Sequence, residues 1–149
     1  MSAMDDPPRG IDLLDAPGHL LRRCHQRSHE IFNDLTDGFD LTRQQFALLH
    51  VLTQHPGASV QELANRTGID RNTLSGIVQR LREKGRVTVQ RSAVDARAQQ
   101  LAITAEGIAL VEAIEPAIHR VSDAILAPLA PDERAELMRL MRKMIGAAG

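Results

Sequence analysis

Aromatic side chains are nearly missing from this chain of 149 residues: Trp and Tyr are absent, and Phe32, Phe39 and Phe46 are the three phenylalanines. Readers of RNA and of single strands stack bases on aromatic rings, so that class is disfavoured. Cysteine is reduced to Cys24, which excludes an internal disulfide and any zinc site built from several cysteines. No apolar run approaches the roughly 20 residues of a membrane helix, so no membrane partner is expected. Residues 1–10 hold two Asp and two Pro without an apolar core, which reads as a flexible leader and not a signal peptide. That points to the cytoplasm. Catalytic signatures are also missing. There is no phosphate loop, nucleophile elbow, HExxH or paired carboxylates in a Gly-rich setting. No enzyme activity, catalytic residue, cofactor or metal is expected.

Charge is balanced overall, at −1, but it is not evenly spread. Between Ser59 and Ala105 stand Arg66, Arg71, Arg80, Arg82, Lys84, Arg86, Arg91 and Arg97, against Glu62, Asp70, Glu83 and Asp95. The flanks are acidic in excess. A basic middle on an acidic scaffold is what a phosphate-facing module shows.

Periodicity and punctuation divide the chain into elements. Helical spacing of Leu21, Cys24, Ser28, Ile31 and Leu35 predicts a first helix over 17–35. A loop at 37–40 leads to a second helix over about 42–55, with Phe46, Leu49 and Leu52 on one side, broken by Pro56-Gly57. Ser59-Val60-Gln61-Glu62 has the pattern of a capping box opening a short helix to Arg66. After the tight turn Thr67-Gly68-Ile69, Asp70 caps a helix whose Leu74, Ile77, Val78 and Leu81 form one buried stripe. Gly85 stops it. The period then changes. Val87 to Arg91 and Gln100 to Ile103 read as strands around a polar loop, Ser92 to Ala98. Thr104 caps a long helix carrying Ile108, Val111, Ile114, Ile118, Val121 and Ile125. Pro131 opens a last helix with Leu137, Leu140, Met141 and Met144.

The order α-α-α-α-β-β-α-α is mainly α with a small β-hairpin wing. A short helix, a Gly turn, a polar-faced helix and a hairpin make a winged helix-turn-helix. Removing the buried stripe from the fourth helix leaves Arg71, Asn72, Thr73, Ser75, Gly76, Gln79, Arg80 and Arg82, and all but Arg82 are taken as candidates to face duplex DNA. Asn and Gln suit adenine, Arg suits guanine, and Ser or Thr suits either. Gly76 adds no bulk against a close backbone. Ser59, at the start of the preceding helix, joins the candidate set. In the hairpin loop, Arg91 and Arg97 are the cations, Arg97 suited to a narrow minor groove. Asp95 is assigned to holding the loop through an Arg.

Ile69-Asp70-Arg71-Asn72-Thr73-Leu74-Ser75, the helix end Arg80-Leu81-Arg82-Glu83-Lys84-Gly85, the wing Asp95-Ala96-Arg97, and Leu101-Ala102-Ile103-Thr104-Ala105-Glu106-Gly107 resemble the MarR family of transcriptional regulators. The resemblance covers residues 15 to 146. Gly76 stands where many members carry a larger, often basic residue, and Ala98-Gln99-Gln100 replaces a stretch that is often basic. The resemblance implies a dimer with recognition helices in successive major grooves, wing arginines in the flanking minor grooves, and repression relieved by a small ligand or by oxidation.

Residues 11–149 are thus expected to form a single unit. Within it, about 38–104 form the DNA-binding lobe, and 11–37 with 105–149 form dimerisation helices. The apolar residues of the first, fifth and last helices exceed what one small domain covers, so they are expected to meet a second copy, giving a homodimer for a pseudo-palindromic operator. The resemblance implies a ligand site between dimer helices and lobe. Arg22, His25, His29, Phe46 and His50 are the candidates, and their basic groups suit an organic anion such as an aromatic carboxylate or an acyl-CoA thioester. Three other readings stand beside this one. Cys24 with its Arg neighbours suits a redox sensor, although the tyrosines that assist such cysteines in some members are absent. His25 and His29, at i and i+4, with Glu30 or His119, suit a metal sensor. A winged helix can also serve protein–protein contact.

Overall fold

The computed structural model describes residues 10–94 and 98–147. The elements are α1 (Pro17–Leu35), α2 (Arg43–Gln54), α3 (Val60–Thr67), α4 (Arg71–Glu83), β1 (Val87–Arg91), β2 (Gln99–Ile103), α5 (Ala105–Leu126) and α6 (Pro131–Met144), preceded by a 3-10 turn at Leu13–Asp15. The turn was not foreseen. It forms because the Asp12 carboxylate accepts the Leu14 amide at 3.0 Å. No described helix is long and apolar enough to cross a membrane.

The chain divides into two compact units, and the first spans 35–120. Leu48, Leu49 and Leu52 of α2, Leu63 of α3, Leu74 and Leu81 of α4, Leu101 of β2 and Ile114 of α5 are fully enclosed in its core. Each such side chain contributes about 1.5–3 kcal/mol relative to exposure. A complete capping box starts α2. Thr42 Oγ1 accepts the Gln45 amide at 3.2 Å, and Gln45 Oε1 accepts the Thr42 amide at 3.0 Å. The box expected at Ser59 forms by half. Its hydroxyl accepts the Glu62 amide at 3.1 Å, and no returning carboxylate bond is present among the described residues.

The segment before α3 is tied sideways instead. Ser59 bridges Gln100, the Gly57 amide donates to the Leu101 carbonyl at 3.2 Å, and the Leu101 amide donates to the Ala58 carbonyl at 3.0 Å. The antiparallel hairpin pairs Val87 with Ile103, Val89 with Leu101 and Arg91 with Gln99. Thr104 caps α5 through the Gly107 amide at 3.1 Å. Gly107 is packed where no side chain fits. A Cβ there would overlap the Arg86 carbonyl oxygen and lie 2.7 Å from Ile103 Cγ1.

The second unit holds α1 up to Asp34 and the chain from Val121 onward. Arg27 caps the C-terminus of α5, its guanidinium donating to the Ala124 and Ile125 carbonyls at 2.9 and 2.8 Å. Charge and free carbonyls complement each other there. The expected α1 stripe is only partly covered. Ser28 is buried and Ile31 and Leu35 are half-buried, whereas Leu21 is 50% exposed and Cys24 is exposed; Phe32, beside the stripe, is buried. Leu13, Leu14 and Leu20 near the start, and Leu137, Leu140, Met141 and Met144 on α6, are exposed as well.

Candidate nucleic-acid interface

The turn between α3 and α4 is made by Gly68, whose φ of 72° is the left-handed conformation that favours glycine. Its amide donates to the Ala64 carbonyl at 2.9 Å, and Thr67 Oγ1 donates to the Leu63 carbonyl at 2.6 Å. Asp70 then caps α4. One carboxylate oxygen accepts the Thr73 amide at 2.9 Å and the other accepts the Thr73 hydroxyl at 2.6 Å. The hydroxyl bond, then the amide bond, holds the Asp70 carboxyl below its ordinary range.

Leu74, Ile77, Val78 and Leu81 turn into the core, as the stripe requires. On the other side Arg71, Asn72, Thr73, Ser75, Gly76, Gln79 and Arg80 are all exposed. Their hydrogen-bonding states differ. Ser75 Oγ donates to the Arg71 carbonyl at 3.0 Å. Gln79 Nε2 donates to Glu83 Oε1 at 3.0 Å, so the acid at the helix end orients the amide. The side chains of Arg71, Asn72 and Arg80 have no partner among the described residues. Gly76 faces open space, since a Cβ there would meet nothing within 4 Å.

A brace that sequence reading missed fixes the far end of α4. Lys84 Nζ donates to the Asp40 carboxylate, and the Arg86 guanidinium donates to the Asp40 carbonyl and lies 3.5 Å from its carboxylate. The Lys84 bond and charge, with a lesser part from Arg86, keep the Asp40 carboxyl below its ordinary range. Forty-four positions separate Asp40 from Lys84, so no local pattern signals the pairing.

In the wing, Arg91 is exposed at the end of β1, and the Ser92 amide donates to the Ala98 carbonyl at 2.9 Å to close the loop. Asp95 and Arg97 lie outside the described residues. Ser59 is half-buried with its hydroxyl engaged in capping.

Of the candidate ligand residues, the fold brings together Phe46 and His50, whose rings stack with centroids 5.6 Å apart. His50 borders an open cleft of about 570 Å³ that Thr53, Ile103, Ile108, Glu112 and Glu115 also line. The two glutamates were not anticipated. They stand between the apolar positions used to recognise α5. Arg22, His25 and His29 are exposed on α1, in the other unit. Among the described residues no three His, Cys, Asp or Glu side chains gather into a metal-binding set. His119 faces Glu115 at 3.7 Å.

A capped helix with a buried stripe, an acid-poor outer face, a left-handed Gly turn before it and a hairpin after it define a winged helix-turn-helix DNA-binding regulator. Comparison with known proteins narrows the class. The MarR family sequence profile matches residues 39–98. The HTH-type transcriptional repressor NicR of Pseudomonas putida is 34% identical over 142 residues, covering 95% of this chain and 89% of that protein. The chain belongs to the MarR family of transcriptional regulators. Among solved structures, BpsR of Bordetella bronchiseptica, whose DNA binding is regulated by 6-hydroxynicotinic acid, superposes with a TM-score of 0.89 at 31% identity, covering 93% of this chain and 99% of that one. PcaV of Streptomyces coelicolor, in complex with its natural ligand, superposes with a TM-score of 0.87 at 34% identity, covering 94% and 99%.

Proposed function

We propose that this protein is a homodimeric repressor that holds a pseudo-palindromic operator through α4 and is released by a small organic anion. The outer face of α4 carries the reading. It is exposed, polar and without an acidic side chain between Arg71 and Arg82. Arg71 and Arg80 would meet phosphate or guanine, and Asn72, Thr73, Ser75 and Gln79 would meet base edges. Gly76 would let the helix approach closely, Ser59 would contact the backbone at the start of α3, and Arg91 and Arg97 would serve the wing, with Asp95 holding its shape. The uncovered apolar side chains of α1 and α6 would bury against a second copy. As a reader of chromosomal DNA it would work in the cytoplasm, with a regulatory and not a catalytic role.

Similarity to BpsR supports a ring-bearing carboxylate as effector. The His50 cleft fits an aromatic ring in size, and its Glu112 and Glu115 favour an effector that also carries a hydrogen-bond donor. Arg22, His25 and His29, exposed on α1, stay candidates for binding an anion in their own right. Fluorescence anisotropy tests this reading. The duplex upstream of the protein's own gene and a scrambled duplex are compared at two salt concentrations, with and without 6-hydroxynicotinic acid. Tight, salt-sensitive binding to the native duplex that weakens on adding the acid is expected. Equal, weak binding to both duplexes would overturn the repressor reading.

A further inference from the structure

We propose that Asp70 sets the base preference of the reading helix by committing the hydroxyl proton of Thr73, so that Thr73 meets DNA as an acceptor for the exocyclic amine of adenine or cytosine. This rests on the reading that α4 enters the major groove. The argument begins with proton counting. A threonine hydroxyl has one proton and two lone pairs, and an ionised carboxylate has acceptors alone. The 2.6 Å bond between Thr73 Oγ1 and Asp70 Oδ2 therefore has one polarity, with Thr73 donating. What Thr73 has left to offer outward is a lone pair and a methyl group. In the major groove the matching donors are adenine N6 and cytosine N4.

Capping alone does not call for this arrangement. The N-cap bond to the Thr73 amide uses Oδ1, at 2.9 Å, and leaves Oδ2 over. Asn caps a helix about as well as Asp. It also brings no negative charge to a helix start that faces phosphates. An Asn side chain, however, carries NH₂ where Oδ2 now stands. It would donate to Thr73 Oγ1 and push the hydroxyl proton outward. Asp is thus the cap that fixes Thr73 as an acceptor. Gln79 follows the same rule at the other end of the face. Its NH₂ donates to Glu83, which turns its carbonyl oxygen away from that carboxylate. Asp70 and Glu83 are positioning residues. Neither needs to touch a base.

Selection from a randomised duplex pool, followed by sequencing, tests the assignment with full-length wild type, D70N and T73V. T73V keeps the shape and removes the lone pair. D70N keeps the cap and reverses the polarity, and thermal melts verify that it folds. In wild type, one position per half-site should prefer A or C on the strand facing Thr73. T73V should erase that preference by about fivefold. D70N should move the same position toward G or T, whose O6 and O4 accept a proton. If T73V changes a position that D70N leaves untouched, the polarity argument is overturned and α4 remains a reader. If T73V changes no position, Thr73 does not read DNA and the proposal fails with its premise.

Discussion

Two glycines on helices of this protein should respond to alanine with opposite signs. Gly107, in the first turn of α5, has the Arg86 carbonyl oxygen where a methyl group would go. That oxygen also accepts the Thr104 amide at 3.0 Å, so it cannot retreat without weakening the junction of β1 and α5. Overpacking of this kind costs about 1–3 kcal/mol, and a loosened hydrogen bond adds about 1 kcal/mol. The better helix propensity of alanine returns about 1 kcal/mol. Gly107→Ala should therefore lose about 2 kcal/mol and melt about 4–8 °C below wild type. Gly76, in the middle of α4, has open space around its missing Cβ. There the propensity gain stands alone, and Gly76→Ala should melt about 2–4 °C higher. Thermal denaturation by circular dichroism is the assay, with protein concentration held constant because a dimer's midpoint depends on it. A Gly107→Ala variant melting at or above wild type would refute the packing argument. Anisotropy on Gly76→Ala adds a second result, since a stabler protein with weaker operator binding is expected if α4 lies close against the duplex.

The Asp40 brace gives a pH signature. Its folded carboxyl titrates below the ordinary value, so its contribution is complete above about pH 4–5 and is lost as pH falls through the folded value. Asp40→Asn should flatten the acid side of a plot of urea midpoint against pH, and an unchanged slope would contradict the brace. Arg27→Ala should lower stability by about 1 kcal/mol in urea denaturation by uncapping α5, and a change within a few tenths would mean that solvent replaces the guanidinium. Leu140→Glu should yield monomers in sedimentation velocity and lose operator binding, whereas a stable dimer would place the interface elsewhere. Arg97→Ala should weaken binding across sequences and lower the slope of log affinity against log salt by about one.

Local chemistry was legible in the sequence. The cap at Asp70, the Gly turn, the four-residue stripe of α4 and the change to strand period at Val87 all involve neighbours within a few positions, and each stands where periodicity put it. Long-range pairings were not legible. Nothing near Asp40 announces Lys84 and Arg86, and nothing near Ser59 announces Gln100, because backbone bridges and distant ion pairs leave no periodic trace. Arg27 shows a subtler failure. It sits among the arginines and histidines of α1 that suggest an anion site, yet its guanidinium serves the end of α5. Gly107 belongs to a recognisable motif, but the reason for a glycine there is a carbonyl brought in from another element. Leu21 and Cys24 fit a helical period but remain uncovered, because amphipathic spacing says which face is apolar and not which surface covers it.

The bridge between Ser59 and Gln100 has a mechanical meaning. The Gly57–Leu101 and Ala58–Leu101 bonds stitch the entry of α3 to the returning strand of the hairpin, so β2 at Leu101 cannot part from α3 without breaking them. The entry of α3 and the base of the hairpin behave as one tool with a fixed gauge. An effector that drew β2 away from α3 would have to break those main-chain bonds. The amides of Gly57 and Leu101 should accordingly stay protected from hydrogen exchange whether or not the effector is bound.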